Sequence, residues 1–200
     1  MSAKSPAASE RLIRILIETK AFQYSQTPIF TLASGAKSSF YVDCRAALSY
    51  PEAREVVGDL MMDRLGSDSQ VDAVGGLLIG AFPIAIALSD AAFRRKSPLL
   101  RVFVVRKEPK EHGLKKLIEG AVSPGDRAVI VDDVITSGKS TIEAIRKSRE
   151  FGLEVTRAIA IIDREEQGGR QAVEAEGVRL DTLCTLRDLK QAVGAGATSA

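Results

Sequence analysis

Short β-branched runs alternate with amphipathic helical patterns along most of the chain. The runs at 73–79, 102–105, 128–131, 155–162 and 180–183 are largely apolar at consecutive positions, which is typical of strands buried on both faces. Before the first of these runs, the residues at 52–65 repeat with a helical period. They place a set of apolar side chains on one face: Val56, Val57, Leu60, Met61 and Leu65. The alternation predicts an α/β domain with a central, mostly parallel sheet that has helices on both faces.

Proline and glycine give the predicted boundaries of several elements. A helix is expected to begin near Pro83, since proline fits the first turn of a helix. A second helix is expected over 139–151, with Gly152 as its C-terminal stop. The turn sequence Pro-Gly-Asp at 124–126 precedes the strand at 128–131.

Both ends of the chain are small, polar and without period. We therefore expect 1–8 and 192–200 to be flexible tails on one domain that covers 1–200. The N-terminal segment before the first long helix is expected to form a small additional lobe, or hood, over the sheet.

Composition narrows the functional class. The 200 residues are 45% hydrophobic, which is enough for one substantial core, and the net charge of +2 predicts no general affinity for nucleic acid. The apolar runs are too short to cross a bilayer, and the polar first ten residues do not resemble a signal peptide. Cys44 and Cys184 have neither metal-site spacing nor a disulfide framework. We expect a cytoplasmic protein with no membrane or nucleic-acid partner.

The most informative stretch runs from 128 to 141. Its strand would carry Asp132 and Asp133 to the carboxyl end of the sheet, where open α/β sheets bind ligands. The Thr-Ser-Gly sequence at 136–138 then precedes a helix, whose N–H groups and dipole would hold a phosphate monoester. Adjacent carboxylates would accept hydrogen bonds from ribose hydroxyls and favour a nearby Mg²⁺. The pattern predicts a ligand with a phosphate at one end and hydroxyls in the middle.

Two alternatives apply to this stretch. Ser-Gly-Lys-Ser-Thr at 137–141 imitates the end of a nucleoside-triphosphate P-loop, but Asp133 stands where that motif has its first glycine. A carboxylate at that position would repel a phosphate. The other alternative is that Asp132 and Asp133 only end a strand, which requires no ligand.

A basic segment follows the strand at 102–105. Six Lys and Arg residues face two Glu residues between 101 and 116, a local excess that suits a small polyanion. Within it, Arg106, Lys107, Lys110 and His112 offer four donors in seven residues, and His112 could titrate near neutrality beside a leaving pyrophosphate. A solvated surface loop is the alternative interpretation.

These segments resemble the type I phosphoribosyltransferases, and within them the orotate phosphoribosyltransferases. The stretch at 129–141 is similar to the signature that binds phosphoribosyl pyrophosphate (PRPP), and 106–113 is similar to the R-K-x-x-K-x-H-G catalytic loop. The segment at 30–43 resembles the F-T-L-x-S-G-x-x-S-x-F/Y segment of the orotate enzymes. The alternative interpretation of this segment is a β-hairpin with a Ser-Gly turn and no ligand. The Asp-Arg pair at 163–164 resembles one whose arginine binds the orotate carboxylate. The resemblance extends over about 22–189.

The resemblance implies a reaction and a set of site residues. The reaction is Mg²⁺-dependent transfer of the 5-phosphoribosyl group from PRPP to orotate, in UMP biosynthesis. The implied catalytic residues are Lys110, His112, Asp132 and Asp133, with Lys110 and His112 reaching into the partner's site of a homodimer. The Mg²⁺ would be carried by PRPP near the two aspartates, with no direct protein ligand. The implied PRPP-binding residues are Arg106, Lys107, Lys110, His112, Asp132, Asp133, Val134, Ile135, Thr136, Ser137, Gly138, Lys139 and Ser140. The implied orotate-binding residues are Tyr41 and Val42, through their backbone groups, together with Thr136 and Arg164.

Two positions depart from the family pattern. Many members carry a lysine where this chain has Ala33 and another near Gly80, within a glycine-rich loop at 75–85 whose backbone amides would have to replace it. Two other hypotheses stay open on the sequence: a type I phosphoribosyltransferase for another base, and a non-catalytic PRPP-binding regulator.

Overall fold

The computed structural model describes residues 6–31, 35, 37–66, 70–108 and 116–197. In chain order the elements are α1 (Pro6–Glu18), β1 (Phe22–Tyr24), β2 (Phe30–Thr31), β3 (Lys37–Ser38), β4 (Phe40–Val42), α2 (Cys44–Leu48), α3 (Pro51–Leu65), β5 (Ala73–Leu77), α4 (Ala81–Arg94), β6 (Arg101–Val105), β7 (Ile118–Gly120), β8 (Arg127–Ile135), α5 (Lys139–Phe151), β9 (Glu154–Asp163), α6 (Gly169–Glu174), β10 (Arg179–Thr185) and α7 (Leu186–Ala197).

A six-stranded sheet forms the centre of the molecule. Its strand order is β10-β9-β8-β5-β6-β7, and every described pair in it is parallel except β6 with β7. This confirms the predicted mostly parallel sheet. Strand β8 runs to Ile135, four residues beyond the predicted end at 131, so Asp132 and Asp133 lie inside the strand.

Hydrophobic side chains cover both faces of the sheet. Alternate residues of a strand point to opposite faces, and in β8 Val129 and Val131 join the core on the side of α3 and α4. Ala128 and Ile130 join the second core, on the side of α5. The carboxyl ends of the parallel strands are therefore held rigidly between two packed layers.

Helix boundaries follow the predicted signals closely. In α3 the five apolar positions that the sequence placed on one face are all buried. Helix α5 spans the predicted range and ends at Gly152, whose φ of 104° is readily adopted by glycine. Helix α4 begins two residues before Pro83, which is its third residue.

The ends of the chain are more regular than predicted. Helix α1 begins at Pro6 and α7 continues to Ala197, so the prediction of tails over 1–8 and 192–200 is wrong for 6–8 and 192–197. Leu186 and Leu189 are buried and hold the start of α7 against the core. Val193 packs against the same core and supports the helix beyond 192, although the glycines at 194 and 196 are poor helix formers.

The N-terminal residues form the predicted small lobe beside the sheet. β1 pairs with β4 and β2 pairs with β3, in both cases antiparallel. The rings of Phe22 and Tyr24 stack on Phe40, with centroids 5.9 and 5.1 Å away, and the ammonium of Lys190 lies 4.4 Å from the Phe40 centroid. The lobe is thus joined to α7. Among the described residues, no helix has both the length and the apolarity that a membrane span requires.

Candidate functional site

A cleft of about 330 Å³ opens at the carboxyl ends of β5, β8 and β9. A second hollow of about 320 Å³ surrounds the turn between β8 and α5, and the two share Leu77, Lys107, Val134, Thr136 and Ser140 in their walls. The cleft is lined by Val42, Asp43, Arg45, Leu77, Leu78, Ile79, Gly80, Lys107, Asp132, Asp133, Val134, Thr136, Ser140 and Arg164. Most of the predicted site residues that the structure describes are therefore brought together in one place.

Asp132 is buried and ties β8 to the start of α5. Its Oδ2 accepts hydrogen bonds from the hydroxyls of Ser140, at 2.8 Å, and Thr141, at 2.6 Å. Its Oδ1 accepts one from the backbone N–H of Asp133 at 3.0 Å. Both oxygens are engaged inside the protein, so this carboxylate fixes the geometry of the turn at 136–138.

Asp133 is the member of the pair that is open to ligand. Its Oδ1 accepts a hydrogen bond from the N–H of Val134 at 3.0 Å, and its side chain lies on the cleft wall. Burial and, next, the charge of Asp132 raise the pKa of Asp133 to about 7. A Cβ added at Gly80 would lie 3.2 Å from this carboxylate, so the backbone at Gly80 leaves little room for a side chain beside the acid.

The turn at 136–138 brings α5 to the cleft through close backbone contacts. Gly138 has a φ of 75°, and a Cβ there would lie 2.8 Å from Val173. Because β8 continues to Ile135, only three residues separate it from α5, which is too short for the P-loop alternative. Ser137, Gly138 and Lys139, which the sequence analysis assigned to a phosphate site, line the second hollow.

Ile135 differs from the other predicted residues of this stretch. Its side chain is 1% exposed and packs in the core on the α5 side. The role predicted for it in PRPP binding can therefore involve only its backbone, and its carbonyl already accepts a hydrogen bond from the Arg164 N–H at 2.9 Å.

Arg164 follows β9 and lines the cleft, as the sequence predicted. Its Nη2 lies 3.0 Å from Glu166 Oε2, and its side chain is 13% exposed. Its Nε is buried and has no hydrogen-bond partner among the described residues. Asp163 fixes the turn by accepting hydrogen bonds from the Glu165 N–H, at 2.8 Å, and from Arg170 Nε, at 2.9 Å. Because Nε is shielded, a carboxylate ligand would have to bind the Nη groups, one of which Glu166 engages.

The basic segment is described only at its two ends. Lys107 lines both the cleft and the second hollow. Arg106 instead directs its guanidinium to Glu119, at 3.4 Å, and is not among the residues that line the cleft. Lys110 and His112 lie outside the described residues, as does Ala33.

The N-terminal lobe contributes one predicted residue and two that the sequence analysis missed. Val42 lines the cleft, whereas the ring of Tyr41 stacks on Phe30 with centroids 5.9 Å apart. Asp43 and Arg45 also line the cleft and form a two-point ion pair, with N–O distances of 2.7 and 2.8 Å. The hydrogen bonds from Arg45 lower the pKa of Asp43. The sequence indicated these two residues only by their position. Asp43 is the last residue of the 30–43 motif, and Arg45 follows it by two residues.

Comparison with known proteins agrees with this geometry. The phosphoribosyl transferase domain model matches residues 47–181. The orotate phosphoribosyltransferase of Aquifex aeolicus is 42% identical over 180 residues, which are 90% of this chain and 96% of the relative. The crystal structure of orotate phosphoribosyltransferase from Aeropyrum pernix is 31% identical with a TM-score of 0.73, covering 92% of this chain and 98% of that one. The Mycobacterium tuberculosis orotate phosphoribosyltransferase in complex with PRPP is 29% identical with a TM-score of 0.70, covering 92% and 93%.

The matched residues include the acid pair, the phosphate turn and the strand that leads to Arg164, all of which meet at the cleft. An extended match to curated enzymes at about this level of identity, over nearly their whole length, specifies the branch as well as the fold. This chain belongs to the phosphoribosyl transferase domain family and, within it, to the orotate phosphoribosyltransferases.

Proposed function

We propose that this enzyme transfers the 5-phosphoribosyl group of PRPP to orotate, giving orotidine 5′-monophosphate and pyrophosphate, with Mg²⁺ as cofactor and UMP biosynthesis as its pathway. The observation that carries the proposal is the meeting of three groups in one cleft. These are the acid at Asp133, Thr136 of the turn at 136–138, and the guanidinium of Arg164.

The phosphate turn suits the 5′-phosphate of PRPP. Helix α5 begins at Lys139 directly after the turn, so its free N–H groups and its dipole favour an anion in the second hollow. The ionised Asp133 then accepts hydrogen bonds from the ribose hydroxyls. Asp132 acts on the same ligand indirectly, because it holds the hydroxyls of Ser140 and Thr141 and thereby the helix start.

The reaction exchanges one bond at the anomeric carbon for another. The C–O bond to pyrophosphate breaks and its electron pair leaves with pyrophosphate, whose charge Lys107, Lys110 and His112 stabilise. The ring nitrogen of orotate then forms the new C–N bond from the opposite face, and its N–H proton is released to the departing pyrophosphate or to water. Arg164 holds the orotate carboxylate and sets that direction of attack.

The acid pair also suits the proposed Mg²⁺. The pKa of Asp133 is raised to about 7 by burial and by its neighbour, and a divalent cation beside the pair offsets that repulsion. Carboxylate oxygens suit Mg²⁺ and its waters, and Asp133 would hold a water of the Mg²⁺ that PRPP carries, without being a direct ligand of the cation. The cation supplies charge neutralisation of the diphosphate when it is bound with PRPP.

A homodimer is part of the proposal. Helix α4 exposes Phe82, Ile86 and Phe93 at spacings of four and seven residues, and Ile79 just before the helix is 68% exposed. These four side chains form what we call the α4 stripe. Ile79 also lines the cleft, so a second copy seated on the α4 stripe would reach the cleft mouth. That arrangement supports donation of Lys110 and His112 between subunits.

We place the enzyme in the cytoplasm. Both cysteines are free and buried, as expected for a protein that works where thiols stay reduced.

The test is the ultraviolet absorbance of orotate over time in the presence of PRPP, with and without Mg²⁺. We expect a loss of the orotate signal that requires Mg²⁺ and is reversed when pyrophosphate and orotidine monophosphate are supplied. An unchanged trace from protein that binds PRPP would replace the proposal with another base or a PRPP-binding regulator.

A further inference from the structure

Lys147 joins the helix of the phosphate turn to the end of β6. Its Nζ donates hydrogen bonds to the carbonyl oxygen of Arg106 at 3.0 Å, to that of Lys107 at 2.6 Å, and to Glu143 Oε1 at 2.6 Å. An ammonium group has three N–H donors, so all of them are used. The side chain is only 17% exposed, which makes these charge-assisted bonds stronger than those of a surface lysine.

The two carbonyls that Lys147 binds belong to the backbone that carries Lys107 into the cleft. The N–H of Arg106 also donates to the carbonyl of Leu117 at 2.8 Å. The end of the strand is therefore held by two contacts, one to Leu117 and one to Lys147. Among the described residues, Lys107 is the one Lys or Arg that lines both the cleft and the second hollow.

Helix α5 makes this tie relevant to substrate binding. Lys147 lies eight residues after Lys139, about 12 Å along the helix from the phosphate turn. A rigid helix of that length fixes the distance between the phosphate cradle at its start and the carbonyls bound further along. The positions of the two PRPP-binding regions are thus coupled through one side chain.

We propose that Lys147 is a positioning residue for PRPP: it anchors the backbone at Arg106 and Lys107 to α5, so that the Lys107 ammonium faces the diphosphate at the correct distance from the phosphate turn. This inference rests on the proposed function. Lys147 does not line the cleft, and it acts through Lys107.

A second effect of Lys147 has to be separated from the first. Glu143 lines the second hollow, where an unpaired carboxylate would repel phosphate, and Lys147 neutralises it. Loss of Lys147 could therefore weaken PRPP binding through charge alone. The double variant Lys147→Met with Glu143→Gln removes that repulsion and leaves the backbone anchor missing.

The experiment compares Lys147→Met, Lys147→Arg, the double variant and Arg146→Met by steady-state kinetics. Arg146, on the same helix as Lys147, is the matched control. It forms a 2.6 Å ion pair with Glu176 and touches neither carbonyl. For Lys147→Met and for the double variant we expect kcat/KM for PRPP to fall about tenfold, with the KM for orotate within about twofold of the wild type. Lys147→Arg should recover most of the loss, and Arg146→Met should be unchanged.

Limited trypsin digestion provides a readout that does not depend on activity. Cleavage after Arg106 and Lys107, followed by mass spectrometry, should be several-fold faster in Lys147→Met and in the double variant than in the wild type or Arg146→Met. Unchanged cleavage, unchanged kcat/KM for PRPP in Lys147→Met, or full recovery in the double variant would each overturn the positioning role. If wild-type protein fails to convert orotate, the proposed function fails, and the digestion still decides whether Lys147 anchors this backbone.

Discussion

At the residue scale, the adjacent aspartates have different environments and therefore different tasks. Asp132 is saturated by one N–H and two hydroxyls, whereas Asp133 faces the cleft with a pKa raised to about 7. Neighbouring side chains of a strand point in opposite directions, so one position of the pair must face the cleft less directly than the other. The division follows from the pleat of β8.

Asp133→Asn should change how stability depends on pH. The folded-state pKa is raised above the unfolded value of 3.8, so wild-type stability is fully present below that value and falls as the pH rises towards about 7. Relative to wild type, the free energy of unfolding of Asp133→Asn should rise by about 2 to 3 kcal/mol between pH 5 and pH 8. Urea unfolding of both proteins at these two pH values measures the difference.

Asp43→Asn is the control for that measurement. Arg45 lowers the pKa of Asp43, so this carboxyl titrates below pH 5 and its loss should shift stability equally at both pH values. A difference for Asp133→Asn that is the same at pH 5 and pH 8 would contradict the raised pKa.

If Arg164 binds the orotate carboxylate as proposed, Glu166 competes with that carboxylate for the guanidinium. Its carboxylate is 3.0 Å from the guanidinium but is 39% exposed, so the pair is worth at most about 1 kcal/mol. Glu166→Gln should therefore lower the KM for orotate by up to about fivefold. Glu165→Gln is the control, because Glu165 pairs with Arg187 instead. An unchanged or higher KM in Glu166→Gln would show that Glu166 does not compete with orotate for Arg164.

At the element scale, the start of α5 is fixed by hydroxyls rather than by a conventional cap. Gly138 provides no side chain, and Thr141 donates instead to the buried Asp132 of the adjacent strand. The helix position and the strand position are therefore set by the same carboxylate.

Thr141→Val tests that tie, because valine keeps the shape of threonine and removes the donor. We expect the free energy of unfolding to fall by about 1 to 3 kcal/mol, since a buried charged acceptor loses a partner. PRPP affinity, measured by calorimetry, should fall with it as the turn at 136–138 loosens. Thr156→Val, at an exposed position of β9, should change neither quantity. Wild-type affinity and stability in Thr141→Val would mean that Ser140 alone suffices.

The elements were largely predictable from the sequence, and their side-chain directions were not. The apolar runs and the Gly152 stop predicted β8 and α5, because burial and backbone conformation leave local signals. The sequence could not show that Arg106 turns to Glu119 while Lys107 enters the cleft, or that Tyr41 stacks on Phe30. Those directions depend on residues distant in the chain, as does the extension of α7 beyond 192.

At the scale of the whole molecule, the α4 stripe is the surface on which the proposed dimer depends. Phe93→Asp places a charge in it at a position that is 71% exposed, so folding of one chain should be little affected. We expect sedimentation to show a dimer for wild type and a shift towards monomer for Phe93→Asp. Ile29→Asp, on the N-terminal lobe at 60% exposure, is the control and should remain a dimer.

Mixed dimers test whether the sites are shared. Lys110→Ala and Asp133→Asn should each be nearly inactive alone, and mixing them should restore activity, because one site of each hybrid then has both residues intact. Mixtures that exchange subunits and stay inactive would assign Lys110 to its own subunit's site.

The two buried cysteines give the molecule a pair of internal reporters. Cys44 lies beneath the cleft, with its Sγ 4.0 Å from the Asp133 carbonyl oxygen, and Cys184 lies on the edge strand β10 with its Sγ 3.6 Å from the Ile161 carbonyl oxygen. Burial raises the pKa of the Cys44 thiol well above its usual value. A thiol reagent therefore reacts with Cys44 only when local opening exposes the side chain. The rates of alkylation, measured by peptide mapping, would therefore report two local openings. Cys44 would report the opening of the N-terminal lobe, and Cys184 would report the fraying of the sheet edge. A ligand that fills the cleft should slow the alkylation of Cys44 more than that of Cys184.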